Sequence, residues 1–414
     1  MRGGGCVCDL RRGGSLFGAR AAIPDGATDA GITLSLKDGE DAYTTESLSE
    51  LLSGNRFTVT VSYTDGSGSN TETVENNYEE AGFVISYADG SDVNTPLTSG
   101  GTNEIVAEYT VGDATYTDTL LVAAKVKTAE NIPADGTITA VRVNTSKVNE
   151  YGAAGIYTSM TAQDLLDYGY VTVTIDDVEY TLGCDAEEKG FTVAVGGGSI
   201  QPSAGNTLSV TFGGAAVTGT FAASSVSEAG IYVDYDMDAD DNFIVNGRTS
   251  YIYDNQNISV ISDHISVYTK YNDGSLSEEI ASGGYTLSGN TTDYVLNAGD
   301  NEIRVSYGGF SYTFVLKVVA REVEELEAVY IDDDSDALAS YVTNISQIKS
   351  HIAVTATYND GTTEENFTDY DIVGDLWAGT AANSSGTISL RVSHETESGT
   401  TVTSEPFDFT IKPA

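Results

Sequence analysis

One strand-and-turn pattern recurs along the chain and constrains the fold more than any other feature. It reads Phe57–Gly66, His264–Gly274 and His351–Gly361, and a degenerate copy covers Tyr170–Asp177. Apolar residues occupy every second position, which is the period of a half-buried β-strand. In the first three copies an Asp-Gly pair follows, and we predict that both residues supply the positive φ angles of a tight hairpin turn.

A second block recurs downstream of each copy and sets the number of units. It begins at Asn103, Asn206 and Asn301 and, in a looser form, at Gly386, and a closing strand follows each time. A repeat of this length is one supersecondary unit stacked against its neighbours. The chain therefore divides into four repeated units.

Each unit opens with a short alternating strand and a polar connection. In the first two units this connection contains Ser47-Leu-Ser-Glu50 and Thr161-Ala-Gln-Asp164, the spacing of a helix capping box. We predict one or two helical turns in the first connection of each unit. The predicted divisions are an extended N-terminal arm at 1–30, followed by units at 31–128, 137–226, 230–321 and 325–414.

The third unit, Ile231–Ala320, resembles the bacterial immunoglobulin-like (Ig-like) domains. The resemblance depends on its Tyr-x-Asp-Gly turn, the Tyr285–Gly289 segment and the run from Asn301 to Gly309. Units one and four match in part, whereas unit two departs at Ile175-Asp-Asp-Val178. The resemblance implies an all-β chain of four tandem Ig-like antiparallel β-sandwich domains. It also implies spacer and binding modules of surface adhesins, secreted carbohydrate-active enzymes and phage virions, without conserved catalytic residues.

Charge excludes several classes of partner. The chain has 19 Lys plus Arg against 62 Asp plus Glu, a formal net charge of −43. Nucleic acids and anionic membrane surfaces attract proteins through basic residues, so neither is a predicted partner. No run of about 18 apolar residues occurs, so membrane insertion is not predicted.

The first 22 residues reverse this charge. They contain Arg2, Arg11, Arg12 and Arg20 against a single aspartate. One interpretation is a flexible glycine-rich leader. The other is an attachment arm that pairs with an acidic neighbour in an assembly.

Acidic loops after the opening strands raise a calcium hypothesis. Candidate ligands are Asp234, Asp236 and Asp238 in unit three and Asp332, Asp334 and Asp336 in unit four. Hard oxygen ligands near a domain junction are the type that calcium prefers. The alternative is a solvated acidic loop.

Cys6, Cys8 and Cys184 lie too far from the three histidines to predict a zinc site, and no other cofactor is predicted.

Other chemistry finds less support in the sequence. Paired carboxylates arise by chance among so many, and the matching places of His264 and His351 favour a shared packing role, so the chain is predicted not to be an enzyme. Sugar binding through its 25 tyrosines is a further hypothesis, although Trp377 is the only tryptophan and most tyrosines alternate along strands.

Two functions follow. The first is a surface protein of a phage virion, extracellular and docked through its arm to other virion proteins. It is favoured because we recognise no secretion signal or wall anchor. The alternative is a bacterial cell-surface adhesin or spacer that binds a host glycan or protein; either could self-associate. Units stacked end to end, each about 26 Å long, would make a rod of roughly 100 Å.

Overall fold

The computed structural model describes residues 23, 27–65, 68–112, 114–238, 240–245, 248–331, 349–374 and 386–411. Their buried apolar side chains form four separate clusters, within residues 23–124, 138–221, 231–318 and 323–407. We call these four segments units one to four. In each, two small sheets contribute to one cluster, so the chain is an all-β series of sandwiches, as predicted. The finer domain boundaries stay a prediction.

Unit one contains two three-stranded antiparallel sheets. Its strands are Thr28–Leu36, Phe57–Asp65, Gly68–Val74, Phe83–Tyr87, Gly100–Val111 and Ala114–Ala124 (β1 to β6), and its helices are Leu48–Ser53 (α1) and Tyr78–Ala81 (α2). The sheets are β1-β2-β3 and β4-β5-β6. Phe57, Val59 and Val61 of β2 are fully buried, as the alternation predicts.

Unit two repeats this arrangement. Its strands are Ile138–Val143, Val171–Ile175, Val178–Thr181, Thr192–Val195, Asn206–Phe212 and Ala215–Phe221 (β7 to β12), and its helix is Ala162–Asp167 (α3). The sheets are β7-β8-β9 and β10-β11-β12. The predicted capping boxes are confirmed, because Ser47 and Thr161 cap α1 and α3 with reciprocal bonds to Glu50 and Asp164.

Unit three is the most elaborate. Its strands are Glu228–Asp234, Phe243–Val245, Arg248–Ser250, Ile252–Tyr253, Ser266–Tyr271, Thr286–Ser288, Thr291–Thr292, Val295–Leu296, Gly299–Tyr307 and Phe310–Val319 (β13 to β22). β13 pairs with β17, and β16-β22-β21-β18 form the facing sheet. A 3-10 helix, Ile258–Asp263, occupies the predicted helical connection.

Unit four has the strands Val323–Tyr330, Ile352–Tyr358, Thr363–Glu365, Asp371–Val373, Gly386–Glu395, Thr401–Thr403 and Phe407–Ile411 (β23 to β29). One sheet is β23-β24-β25, and β27 pairs with β26, β28 and β29 in the other. Its first connection lies outside the described residues.

The first three units share one closing device. In each of them, the segment after the opening strand crosses to the second sheet. There it makes a parallel β-bridge with residues near the end of the same unit. These pairs join Tyr43 to Lys125, Tyr157 to Ser224, and Ile252–Tyr253 to Val318–Val319. Each unit is thereby closed by contact between its beginning and its end.

The asparagines of the second block hold a loop onto the core. The side chains of Asn103, Asn206 and Asn301 are buried, and each donates from Nδ2 to a carbonyl of the preceding loop. Asn103, for example, donates to Thr98 O of this loop at 2.8 Å and also to Val122 O of β6 at 2.9 Å. The repeated asparagine therefore anchors the loop that enters the central strand.

The turn prediction needs one correction. In units three and four the turn residues are Asn-Asp-Gly, at 272–274 and 359–361, and only Gly274 and Gly361 have positive φ. A three-residue hairpin loop of this type needs one left-handed residue, at its last position. In unit two, Asp176 and Asp177 both have positive φ, at 48° and 65°, which makes the two-residue turn that the Asp-Gly pairs were predicted to form.

Candidate functional site: the joints between units

Most of the predicted site residues lie outside the described part of the chain. Arg2, Arg11, Arg12 and Arg20 of the arm are among them, as are Asp332, Asp334, Asp336 and Trp377. The attachment arm and the calcium ligands of unit four therefore stay predictions.

The acidic loop of unit three is described at Asp234, Asp236 and Asp238. Asp234 is exposed at the end of β13, and burial, with the charges of Asp234 and Asp118, raises the pKa of Asp236. Asp238 accepts hydrogen bonds from the Asn242 and Asp240 amides and the Thr249 hydroxyl, and these bonds lower its pKa. In the described ranges no three acidic, histidine or cysteine side chains are grouped to hold a metal ion. Calcium binding stays a prediction.

Successive units are hydrogen-bonded to each other at the joints between them. At the joint of units two and three, Asn149 Nδ2 donates to Asp273 O at 2.7 Å. Ser159 Oγ donates to Asp273 Oδ2 at 2.9 Å. Asn149 and Asp273 are only 3% and 1% exposed. The turn of unit three is thus bonded to unit two through the buried Asn149 and Asp273, with the exposed Ser159 at the edge of the joint.

The Asn149 side chain is held in place by its own hairpin. Its Oδ1 accepts from the amides of Tyr151 and Ala153, at 3.0 and 2.9 Å. The Nδ2 group is thereby aimed at unit three. A Cβ on Gly274 would lie 2.7 Å from Tyr151 O, so a glycine there allows the turn to approach this hairpin.

The joint of units three and four is also made by hydrogen bonds to an Asn-Asp-Gly turn. Tyr253 Oη donates to Asn359 O at 2.7 Å, and Asn255 Nδ2 donates to Asp360 Oδ2 at 3.2 Å. Arg321, in the linker, donates from Nε to the same Asp360 oxygen at 3.0 Å and lies 3.3 Å from the centre of the Tyr358 ring. The Thr362 hydroxyl and amide and the Arg321 charge outweigh the burial of Asp360 and lower the pKa of its carboxyl.

The joint of units one and two uses different residues. Lys125 Nζ lies 3.0 Å from Asp41 Oδ1 of unit one and 3.2 Å from Asp167 Oδ2 of unit two. Burial lowers the pKa of Lys125, but the two carboxylates outweigh it and the net pKa is raised. Gly101 N also donates to Asn149 O at 2.8 Å.

Unit two therefore brings units one and three together. The backbone carbonyl of Asn149 binds unit one while its side-chain amide binds unit three. Burial first, and then the charge of Asp234 in unit three, raise the pKa of Asp118 in unit one. The expected straight stack is wrong for the first three units, because units at opposite ends of a rod could not share one residue.

Other predicted features have structural roles. His264 stacks on Phe243 at 4.8 Å with an interplanar angle of 11°, as expected for a packing residue. Tyr109 and Tyr170 are buried, whereas Tyr251 and Tyr294 are more than half exposed. No helix in the described ranges is long and apolar enough to cross a membrane.

From the sequence we predicted a turn at each Asp-Gly pair, but we predicted no contact between units at these turns. Asn149, Ser159 and Tyr253 belong to no motif that we recognised. One signal was present, however, because an asparagine precedes Asp-Gly in units three and four but not in unit one. A turn needs no asparagine there, so a second role for this residue could have been inferred.

Comparison with known proteins gives little further information. No protein-family model matches the chain, and no curated protein matches it. Among solved structures it is similar to the S-layer protein rSbsC(31-844), with 13% identity over 92% of this chain and 54% of that chain and a TM-score of 0.28. It is also similar to the N-terminal four Ig domains of Dscam1 isoform 6.9, with 10% identity over 93% and 91% of the two chains and a TM-score of 0.18. The chain thus spans about half of the S-layer structure. We draw no functional conclusion from these low scores.

Proposed function

We propose that this chain is a non-enzymatic appendage of tandem bacterial Ig-like domains that holds binding surfaces in fixed positions on a phage virion. The observation that carries this proposal is the pair of hydrogen-bonded joints at Asp273 and Asp360. Sandwiches connected by flexible linkers alone would move independently. Directional hydrogen bonds between successive units, one of them buried, instead support one jointed body.

Attachment through the amino terminus is part of the proposal. A net charge of −43 keeps the units soluble and opposes association with other acidic surfaces. The four arginines of the arm favour the opposite contact, with an acidic neighbour in the assembly. The arm is the segment of the chain suited to docking.

A cell-surface adhesin is the second candidate, and the exposed aromatics of unit three favour it. Tyr232, Tyr251, Tyr294 and Tyr312 are 37% to 74% exposed. Tyrosines combine a stacking face with a hydroxyl group, which suits both sugar and protein partners. Under this proposal unit three would contact a host glycan or protein.

Immunogold electron microscopy of particles and cells distinguishes the two. The virion proposal expects antibodies to unit four to label purified particles, and expects loss of incorporation when Arg2, Arg11, Arg12 and Arg20 are all replaced by alanine. A matched chain with Arg142, Arg248, Arg304 and Arg391 replaced by alanine is the control. Labelling of the cell envelope without particles would support the adhesin and refute the virion function.

Calcium binding is tested by thermal melting of the full chain. A bound ion stabilises the state that binds it, so a real site gives a lower Tm in the presence of a chelator. An unchanged Tm after chelation and after calcium addition would remove this part of the proposal.

A further inference from the structure

The turns Asn272–Gly274 and Asn359–Gly361 make the same set of contacts in two different joints. The recurrence of one hydrogen-bonding pattern in two joints indicates a common task. We propose that the Asn-Asp-Gly turn is a docking element that locks a unit to the unit before it.

The asparagine of each turn binds the linker. Asn272 Nδ2 donates to Ser225 O at 3.0 Å, and its Oδ1 accepts from Ser227 N at 2.9 Å. Asn359 Nδ2 donates to Ala320 O at 3.0 Å, and its Oδ1 accepts from Glu322 N at 3.1 Å. A side-chain amide can donate and accept at the same time, whereas the carboxylate of an aspartate can only accept. The asparagine therefore fixes the path of the linker against the unit that follows it.

The aspartate of each turn has two tasks. One oxygen caps the turn itself, because Asp273 Oδ1 accepts from Ser275 N and Asp360 Oδ1 accepts from Thr362 N. The other oxygen accepts from the preceding unit, through Ser159 in one joint and Asn255 in the next. The same carboxylate thus closes the turn and docks it.

Unit two shows what is lost when the motif changes. Asp176 retains part of the linker contact, since its Oδ1 accepts from Thr137 N at 3.1 Å and its amide donates to Thr137 O at 3.2 Å. A carboxylate cannot donate to the linker as Asn272 does. Among the described residues, Asp176 and Asp177 make no hydrogen bond to unit one. The first joint depends instead on Lys125 and Gly101.

Burial makes the contact between Asn149 and Asp273 costly to break. An Asn149 or Asp273 group that lost its partner would be left unpaired away from water, which costs more than an exposed hydrogen bond contributes. Separation of units two and three therefore requires water to enter the joint. This inference goes beyond the proposed function, since it holds for a chain on a virion, on a cell or in solution.

The first test changes only the unit two side of its joint. Asn149→Asp keeps the oxygen that Tyr151 and Ala153 need, but it replaces the Nδ2 donor with an oxygen facing Asp273 O. Asn144→Asp is the matched control, because its side-chain oxygen accepts from Ser146 N within unit two. The full chain, with Cys6, Cys8 and Cys184 replaced by serine, carries spin labels at Glu179 of unit two and Thr286 of unit three.

The second test changes the unit three side of the next joint. Tyr253→Phe removes the hydroxyl that donates to Asn359 O and leaves the ring. Tyr251→Phe is its control, because Tyr251 is 51% exposed and makes no hydrogen bond to unit four among the described residues. Labels at Thr286 and Thr363 report the distance between units three and four.

The expected result is a narrow distance distribution in the parent and in both controls, and a loss of that narrow distribution in Asn149→Asp and Tyr253→Phe. Circular dichroism of each variant verifies that the sandwiches remain folded. Distributions that stay narrow in both docking variants, or that broaden equally in the controls, would overturn the proposal. Because neither result depends on where the chain is attached, failure here would leave the virion and adhesin tests unaffected.

Discussion

At the scale of single residues, buried polar side chains act as anchors. Asn103, Asn206 and Asn301 each hold a loop by its backbone, and a leucine of similar size could not replace these bonds. The sequence predicted equivalent positions for them, because the block repeats. It could not predict their partners, since these are loop carbonyls whose place depends on the folded unit.

Replacement of Asn103 by alanine is expected to destabilise unit one by about 1–3 kcal/mol, because the Thr98 amide and the Val122 carbonyl lose a partner. The measurement is chemical or thermal unfolding followed by circular dichroism. Asn94→Ala is the control, since the Asn94 side chain bonds only locally to Asp92 at an exposed turn. Equal losses in the two variants would show that the Asn103 bonds contribute nothing specific.

A second residue-scale prediction concerns pH. Burial lowers the pKa of His264 from its usual 6.5, although the neighbouring Asp263 opposes this shift. As pH falls, the unfolded chain therefore binds a proton at this histidine before the folded chain does. The free energy of unfolding is largest above the pKa that the histidine has in the unfolded chain, and it falls toward acid pH. His264→Phe keeps a ring beside Phe243 and removes the titration. We expect its Tm to fall less than that of the parent between about pH 7 and pH 5; identical pH profiles would contradict this.

At the scale of elements, strand alternation and capping boxes were predictable because they depend on neighbouring residues. β2, β17 and β24 form where the repeats place them, and α1 and α3 begin at their predicted caps. The turns were predictable in position but not in full conformation. A local pattern does not reveal that Asn272 also bonds to a linker 47 residues away.

The contact of β5 with the hairpin of unit two gives a prediction at this scale. A Cβ on Gly101 would clash with the Glu150 carbonyl, so Gly101→Ala is expected to separate unit one from unit two without disturbing the core of unit one. Scanning calorimetry would then show unit one melting in a separate, earlier transition. Gly31→Ala is the control, because its Cβ meets only the Ser62 hydroxyl, at 4.0 Å. An unchanged calorimetric trace for Gly101→Ala would contradict the tight contact.

At the scale of the whole molecule, the number of units was predictable and their arrangement was not. Repeat spacing indicates how many sandwiches a chain contains, whereas their packing depends on loops such as 147–155 that belong to no repeat. Acidic residues from two units also come close in this strongly negative chain, since the charge of Asp234, after burial, raises the pKa of Asp118. Contacts at the joints must therefore offset this repulsion.

The most direct test of the account is the distance between units one and three. Spin labels at Glu104 and Tyr232, in the cysteine-free chain, report this distance. The two side chains lie close together, because the charge of Glu104 raises the pKa of Tyr232, after burial, Asp234 and Tyr312. If unit two joins units one and three, the distance distribution is narrow and centred below the length of one unit, about 26 Å. A broad distribution, or one centred well beyond that length as in a straight stack, would contradict the joint at unit two.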